Sequence, residues 1–223
     1  MNDASFPVDD LDAEDSRRLV GIMTEFLNGF ALMKDVAPSV TVFGSAQTAQ
    51  NDPYYQMAYD LGGRLGREGI SIITGGGPGI MEAANRGAFE AGGKSVGVAI
   101  SLPTEQPTNR YMTKSMLLRH FFVRKVMLVK YSYAFALFPG GFGTLDELFE
   151  ALTLIRTRRA APFPLVMIGS EYWGGLVDWM RGNLLRRGYI REGDLNVVRL
   201  ADSVDEAAAI CREAIFNSKA NGV

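Results

Sequence analysis

The 223-residue sequence has only one cysteine, Cys211, and only one histidine, His120. A lone cysteine excludes an intrachain disulfide, and together with one distant histidine it argues against a His/Cys zinc site. A reducing, cytoplasmic location is therefore expected. No apolar run approaches the roughly 20 residues that a membrane-spanning helix needs, so the sequence predicts no membrane association.

The sequence also lacks a strong charge of either sign. Lys and Arg number 23 against 25 Asp and Glu, and the two signs are mixed along the chain. Without a broad basic surface, nucleic acid is not an expected partner. The acidic, polar beginning, residues 1–16, lacks the basic start and apolar centre of a secretory signal. The 47% hydrophobic content suits one α/β domain with a full-sized core.

A polar lead comes first, and apolar residues at helical spacing follow it. These residues are Leu19, Ile22, Met23, Phe26, Phe30 and Met33. They predict an amphipathic helix that ends before Pro38, and its apolar side either packs on its own domain or forms a subunit interface. We assign residues 1–37 to this lead and helix, and residues 38–223 to the domain that follows.

From residue 38 onward, short apolar runs alternate with helical patterns. The predicted strands are 40–43, 70–73, 95–100, 133–137, 164–168 and 197–200. The predicted helices are 54–67, 80–90, 112–130, 145–155, 172–187 and 204–217. This alternation predicts a doubly wound, mostly parallel α/β sheet with helices on both faces, in a single domain preceded by the N-terminal helix.

Three strand-to-helix turns are candidate ligand contacts, because open α/β sheets bind ligands at the carboxyl ends of their strands. They are Gly44-Ser45, Gly75 to Gly79, and Gly140 to Thr144. Glycine lets backbone N–H groups approach an anion, and the following helix N-terminus favours negative charge. The second turn fails the dinucleotide fingerprint, since Ile80 and Pro78 stand where it requires glycine, and the sequence contains no P-loop. Any doubly wound protein needs tight turns, so a purely structural role for a single turn stays open.

Glu147 lies one turn into the helix after the third turn and has two interpretations. Thr144-Leu145-Asp146-Glu147 fits a capping box, in which Thr144 caps the helix and Glu147 reaches back to it. Alternatively, Glu147 is a functional carboxylate beside a bound phosphate. Glu150, on the same helix face, is either a solvated or paired carboxylate or a partner that shares a proton with Glu147.

Arg124-Lys125 lies on the predicted helix before the third turn. It is either a surface basic pair or, since Phe121, Phe122 and Val126 make that helix apolar on most sides, a pair of cations with an anionic partner. The loop after the third strand carries further polar residues, which serve either recognition or only solvation. They are Glu105, Gln106 and Asn109.

The run Pro139-Gly140-Gly141-Phe142-Gly143-Thr144-Leu145-Asp146-Glu147 matches the pattern P-G-G-x-G-T-x-x-E. With Arg124-Lys125 upstream and the turn from Gly75 to Glu82, it resembles the Lonely Guy family of cytokinin riboside 5′-monophosphate phosphoribohydrolases. The similarity covers roughly residues 38–200, and it implies that residues 38–223 are a Rossmann-like nucleotide-binding catalytic domain. Such proteins also carry the label lysine decarboxylase, but nothing in the sequence marks a cofactor-bearing lysine.

The resemblance implies hydrolysis of the N-glycosidic bond of an adenine-type nucleoside 5′-monophosphate, either a cytokinin riboside monophosphate or AMP. The products are a free base and ribose 5-phosphate, and Glu147 and Arg124 are the implied catalytic residues. The implied nucleotide-binding residues are Ser45, Gly76, Gly77, Gly79, Glu105, Lys125, Gly140, Gly141, Phe142, Gly143 and Thr144. No metal or other cofactor is implied, and the implied partner is a second copy in a homodimer or higher homo-oligomer.

The resemblance extends to molybdenum cofactor carriers, which hold a phosphate-bearing pterin and catalyse nothing. A carrier or a nucleotide sensor would keep the glycine turns but would not need Arg124 and Glu147. Phe121-Phe122-Val123 stands where short family members have Met-His, as in the longer members. The choice of base therefore stays open.

Overall fold

A seven-stranded sheet with helices on both faces forms the centre of the computed structural model, which describes residues 13–102 and 107–220. The strands are β1 Ser39–Phe43, β2 Ser71–Thr74, β3 Ser95–Ile100, β4 Lys114–Leu118, β5 Ala134–Leu137, β6 Leu165–Ile168 and β7 Val198–Ala201. The α-helices are α1 Ala13–Met33, α2 Pro53–Arg67, α3 Ile80–Glu90, α4 Phe121–Lys130, α5 Phe142–Arg156, α6 Ser170–Trp179 and α7 Val204–Ala220. A π-helical turn, Met180–Leu185, extends α6, and a 3₁₀ turn, Glu192–Leu195, precedes β7. Most of the predicted polar lead lies outside the described residues.

The strand order is β4-β3-β2-β1-β5-β6-β7, and every neighbouring pair is parallel. The chain builds outward from β1 to β4 on one side, then returns to add β5, β6 and β7 on the other. Strands β1, β2, β5 and β6 are buried along their whole length, because helices cover both faces. The predicted doubly wound α/β fold is confirmed, and the topological switch point lies between β1 and β5.

Each face of the sheet has its own apolar layer. Helices α2, α3 and α7 pack on one face, and α1, α4, α5 and α6 pack on the other. In α1, Met33 is fully buried while Ile22 and Phe26 pack against the second layer. The N-terminal helix therefore packs on its own domain, although its opposite side, with Met23 and Leu27, is exposed.

The predicted helix over residues 112–130 is wrong in its first half. Lys114–Leu118 is a strand that pairs with β3 from Val96↔Lys114 to Ile100↔Leu118, and α4 begins only at Phe121. As an edge strand, β4 exposes alternate residues, and only Arg119 and His120 separate its apolar residues from those of α4. The hydrogen bonds to β3, which are not visible in the sequence, decide its conformation. Within the described ranges, no helix is long and apolar enough to cross a membrane.

Candidate active site

The three predicted turns meet at the carboxyl edge of the sheet, beside the switch point. The amide of Ser45 donates to the carbonyl of Pro139 over 2.9 Å, which joins the turn after β1 to the turn after β5. The amide of Ile80 donates to the carbonyl of Ser45 over 3.1 Å, which joins the turn after β2 to the same place. The structure thus assembles one glycine-rich edge from three separate segments.

Two glycines of this edge are required by backbone shape or by space. Gly79 has a φ of 66°, which L side chains rarely adopt, and a Cβ there would clash with the carbonyl of Ser45. A Cβ on Gly140 would clash with the Thr144 hydroxyl and lie 3.0 Å from the Ser45 amide nitrogen. These glycines let the turns touch, so a structural role for them is confirmed and stands beside any contact with a ligand.

Gly141 and Gly143 differ, because a Cβ on either would meet no atom of another described segment within 4 Å. Helix α5 begins at Phe142, with Gly141 as its N-cap residue and no side chain capping it. The first amides of an α-helix have no acceptor within the helix. Open space beside such amides, at the positive end of a 15-residue helix, suits a phosphate.

Residues outside the predicted site hold the glycine turns. The Tyr172 hydroxyl donates to the Gly140 carbonyl over 2.6 Å, and the Trp173 indole donates to the Leu137 carbonyl over 3.1 Å. Both residues belong to the first turn of α6, which follows β6 at the same sheet edge. That position after a strand was the only signal in the sequence that could have found them.

A buried network of hydrogen bonds holds the turn after β2 in place. The Asn109 amide group donates to the Gly77 carbonyl and to the Asn85 side-chain oxygen, both over 3.0 Å. Asn85 also accepts from the Thr74 hydroxyl over 2.6 Å, and Thr74 in turn accepts the Gly76 amide over 2.9 Å. Asn109 is therefore a buried support for the glycine turn rather than a solvated loop residue.

Glu147 is buried, with 6% of its surface exposed, and its Oε2 has no hydrogen-bond partner within the described ranges. The capping-box interpretation is wrong, because Thr144 lies inside α5 and the N-cap residue is Gly141. Burial raises the pKa of Glu147 to about 7, and the Glu150 charge adds to the rise, while the charges of Lys125 and Arg124 oppose it. A carboxyl with a pKa near neutrality can both hold and release a proton at physiological pH.

Arg124 is half-buried, and its guanidinium lies over the glycine turn after β2. A Cβ on Gly75 would clash with its Nη2, so the missing side chain makes room for the cation. Its Nε donates to the Val98 carbonyl over 3.0 Å. Of the two alternatives that the sequence left open, the structure favours a cation with an anionic partner, because the Glu147 carboxylate attracts it. Burial lowers the pKa of Arg124, and attraction to the Glu147 carboxylate opposes that shift. The cation is thus held near the glutamate by main-chain geometry.

Lys125 connects α4 to α5. Its Nζ lies 2.8 Å from the Asp146 Oδ2 and 2.9 Å from the Glu150 Oε2. Lys125 is therefore not a free surface cation, and Glu150 is a paired helix carboxylate. The remaining predicted contact, Glu105, lies outside the described residues.

A cavity of about 920 Å³ lies away from the glycine turns. It opens between α4, α5 and the amino ends of β5 and β6, where Tyr133 and Pro164 line it. Lys125 and Glu150 line this cavity, whereas Arg124 and Glu147 do not. No group of three or more His, Cys, Asp and Glu residues in the described part of the chain could hold a metal ion. The glycine turns and Arg124 meet at the switch point, and Lys125 lies between that point and the cavity.

Comparisons with known proteins show which family the chain resembles. A family model described as "Possible lysine decarboxylase" matches residues 81–211. The cytokinin riboside 5′-monophosphate phosphoribohydrolase of Mycobacterium tuberculosis is 30% identical, over 70% of this chain and 84% of that protein. The enzyme of the same name from Rhodococcoides fascians is 27% identical, over 78% of this chain and 89% of that protein.

Solved structures share the fold. The X-ray structure of the structural-genomics target TM1055 superposes with a TM-score of 0.58 at 25% identity, covering 78% of this chain and 98% of that one. The molybdenum cofactor carrier protein of Chlamydomonas reinhardtii superposes with a TM-score of 0.58 at 24% identity, covering 80% and 98%. The second likeness shows the fold alone.

Fold and site together define a doubly wound α/β protein with a glycine-rich edge and a buried glutamate at its switch point. The chain belongs to the Lonely Guy family, the family also described as possible lysine decarboxylases. Curated relatives in that family are named as phosphoribohydrolases, which supports a hydrolase at the level of the family.

Proposed function

We propose that this protein hydrolyses the N-glycosidic bond of an adenine-type nucleoside 5′-monophosphate and releases the free base and ribose 5-phosphate. The observation that carries the proposal is Glu147, buried one turn from an open helix N-terminus. One of its oxygens has no partner among the described residues, and its pKa is about 7. Burying such a group is unfavourable for folding, and strongly perturbed carboxyls gather at functional sites. The names of the curated relatives point to the same reaction.

In the proposed reaction, the phosphate binds at the open turn from Gly141 to Thr144, with Ser45 and the turn from Gly76 to Gly79 completing the phosphate or ribose site. The bond between the ribose C1′ and the base nitrogen breaks, and positive charge develops on the sugar. The Glu147 carboxylate stabilises that charge and accepts a proton from the water that attacks C1′. The base leaves with the bonding electrons and takes up a proton.

Binding energy at the phosphate holds the sugar in place for this step. Arg124, fixed over Gly75, contacts the reacting sugar and attracts the Glu147 carboxylate. Lys125 forms ion pairs with Asp146 and Glu150 on α5. We propose that it also contacts the nucleotide. The proposed reaction uses only residues of this kind and needs no redox cofactor or metal.

Purified protein incubated with AMP, and separately with isopentenyladenosine monophosphate, should release free base that chromatography detects. Glu147→Gln should lower the rate by about 10²-fold or more, because the amide can neither stabilise the cationic sugar fully nor take a proton. Glu213→Gln removes an exposed carboxylate on α7 and serves as the matched control. Folded wild-type protein that cleaves no monophosphate, or a Glu147→Gln variant with normal turnover, would overturn the proposal.

The second candidate is a carrier or sensor of a phosphate-bearing ligand, which the shared fold of the molybdenum cofactor carrier suggests. Such a protein uses the open turn at Gly141 and Gly143 but gains nothing from burying the Glu147 carboxyl. Tight binding of a phosphate-bearing pterin without hydrolysis of any nucleotide would favour the carrier.

A homodimer or higher homo-oligomer is the second part of the proposal. Exposed aromatic side chains lie on α4 and α5, the two helices that carry Arg124 and Glu147. They are Phe121, Phe122, Phe142 and Phe149, and Phe142 is 92% exposed. Clustered apolar surface of this kind marks interaction sites. A second copy that covers it would border the candidate site.

A further inference from the structure

Helix α1 reaches the beginning of α4 through one carboxylate, Glu25. Its Oε1 accepts the Arg119 amide over 2.9 Å, and its Oε2 accepts the His120 amide over 3.3 Å. The same Oε2 lies 3.1 Å from the His120 Nδ1. His120 is the N-cap residue of α4 and its own side chain makes no capping bond. Helix α1 therefore supplies the acceptor that the start of α4 lacks.

A hydrogen bond in the first turn of α4 connects His120, which Glu25 holds, to Arg124. The carbonyl of His120 accepts the Arg124 amide over 3.2 Å, so the residue held by Glu25 also makes the first hydrogen bond to the backbone of Arg124. One turn further along, α1 meets α4 again. A Cβ on Gly29 would lie 2.6 Å from the Met127 Sδ, which shows how closely the two helices approach. Arg124 thus lies between two contacts with α1.

The N-terminus of α4 also favours the ionised form of Glu25. Burial opposes ionisation, but hydrogen bonds from Arg119 and His120 outweigh it and lower the pKa of Glu25. A carboxylate next to a helix N-terminus is stabilised by the helix dipole. Its side chain is 16% exposed, so water competes little for these hydrogen bonds.

We propose that Glu25 is a positioning residue that holds α4 so that the Arg124 guanidinium lies over Gly75 at the reacting sugar. This role, which rests on the proposed hydrolase activity, assigns a catalytic purpose to the N-terminal helix. That helix precedes the residues matched by the family model, which begin at residue 81. Displacing a catalytic group by about 1 Å can lower a rate by about 10²-fold.

The test compares Glu25→Ala, Glu25→Gln and the control Glu213→Gln in wild-type and Arg124→Ala backgrounds. Glu25→Ala should lower kcat by about tenfold to 10²-fold with little change in KM, since the lost alignment acts in the transition state. Glu25→Gln, which keeps a carbonyl acceptor, should recover part of that loss. In the Arg124→Ala background, Glu25→Ala should cause no further loss, because the two changes remove the same interaction. Equal losses in both backgrounds would overturn the positioning role.

Hydrogen exchange of the amides at 119–124 gives a readout that needs no activity. Exchange there should accelerate in Glu25→Ala and stay unchanged in Glu213→Gln, while thermal unfolding confirms that each variant is folded. Unchanged exchange would overturn the inference even if the enzyme is active. A wild-type protein without hydrolase activity would refute the proposed function and the positioning role of Glu25 together. Accelerated exchange would then leave Glu25 as a structural cap of α4.

Discussion

Glu147 shows how burial outweighs neighbouring charge at a single residue. Two cations, Lys125 and Arg124, favour its ionised form, yet the desolvated carboxyl keeps a pKa near 7. Lys125 is already paired with Asp146 and Glu150, and Arg124 donates its Nε to a main-chain carbonyl. Because both cations also have these other partners, the carboxyl stays poised to exchange a proton in the reaction.

The raised pKa of Glu147 predicts that the stability of the protein depends on pH. Because the pKa of Glu147 is about 7 in the folded protein against 4.5 for an unperturbed glutamate, the folded state holds a proton that the unfolded chain has released between these values. The contribution of Glu147 to stability therefore falls as the pH rises from about 4.5 through 7. At pH 8, Glu147→Gln should raise the free energy of unfolding by up to about 3 kcal/mol. The gain should vanish near pH 4.5.

Urea unfolding at the two pH values measures this difference, with Glu213→Gln as the control for removal of an exposed carboxylate. A variant that is no more stable than wild type at pH 8 would show that Glu147 is solvated or paired in solution. A variant that both gains stability and loses turnover would show a functional group retained at a cost in stability.

At the scale of elements, the turns before α3 and α5 divide their glycines between two tasks. Gly79 and Gly140 allow backbone segments to touch, whereas Gly141 and Gly143 leave space open in front of a helix N-terminus. A substitution of the first kind should destabilise the fold, whereas one of the second kind should keep the fold and disturb what binds there.

Gly143→Ala and Gly79→Ala should therefore have opposite effects on stability. Gly143 lies in the first turn of α5 with free space around it, so alanine should stabilise the fold by up to about 1 kcal/mol and raise the KM for a monophosphate severalfold. Gly79→Ala should destabilise by about 1–3 kcal/mol, since alanine must adopt a φ of 66° against the Ser45 carbonyl. Thermal unfolding and initial rates measure both effects.

Gly21→Ala, in α1 with no atom near its added Cβ, is the control that should stabilise without changing KM. If Gly143→Ala behaves like Gly21→Ala in both measurements, the phosphate does not occupy the space in front of α5.

At the scale of the whole molecule, apolar surface beside the candidate site suggests assembly. The Lys125 ion pair joins α4 to α5, and the exposed rings of Phe122, Phe142 and Phe149 lie on the same two helices. Covering them would exclude water from the neighbourhood of Arg124 and Glu147 and strengthen electrostatic interactions there.

Light scattering after gel filtration should therefore give a molar mass of at least two chains for the wild-type protein. Phe142→Glu should shift it toward one chain, since a charge in an apolar contact is costly while the monomer already exposes this ring. Phe216→Glu, which changes another exposed ring, on α7 across the sheet, should leave the mass unchanged. A wild-type monomer at all concentrations, or the same shift in both variants, would contradict the proposed assembly.

Much of this organisation could be predicted from local pattern. The six predicted strands and the glycine turns lie where the periodicity and the turn residues put them, because buried parallel strands are continuous apolar runs. β4 was missed because an edge strand is exposed on alternate residues, and because only two residues separate it from the apolar start of α4. Thr144 and Glu147 have the spacing of a capping box, yet α5 begins two residues before Thr144.

The supporting contacts could not have been predicted. Glu25 lies 94 residues from Arg119, and Tyr172 lies 32 residues from Gly140, so no local pattern links either pair. Asn109 is one polar residue among several in its loop, and only the fold brings it against Asn85 and Gly77.

The sequence by itself determined the doubly wound sheet, the three glycine turns and the family, since each depends on residue types within one short segment. Only the tertiary structure decided that these turns touch, that Arg124 lies over Gly75, and that Glu147 is buried with one oxygen that has no partner in the described part of the chain. Burial and pKa depend on what the rest of the chain places around a side chain. The motif from Pro139 to Glu147 therefore identifies a candidate glutamate, and the fold around it produces the desolvated carboxyl that the proposed reaction needs.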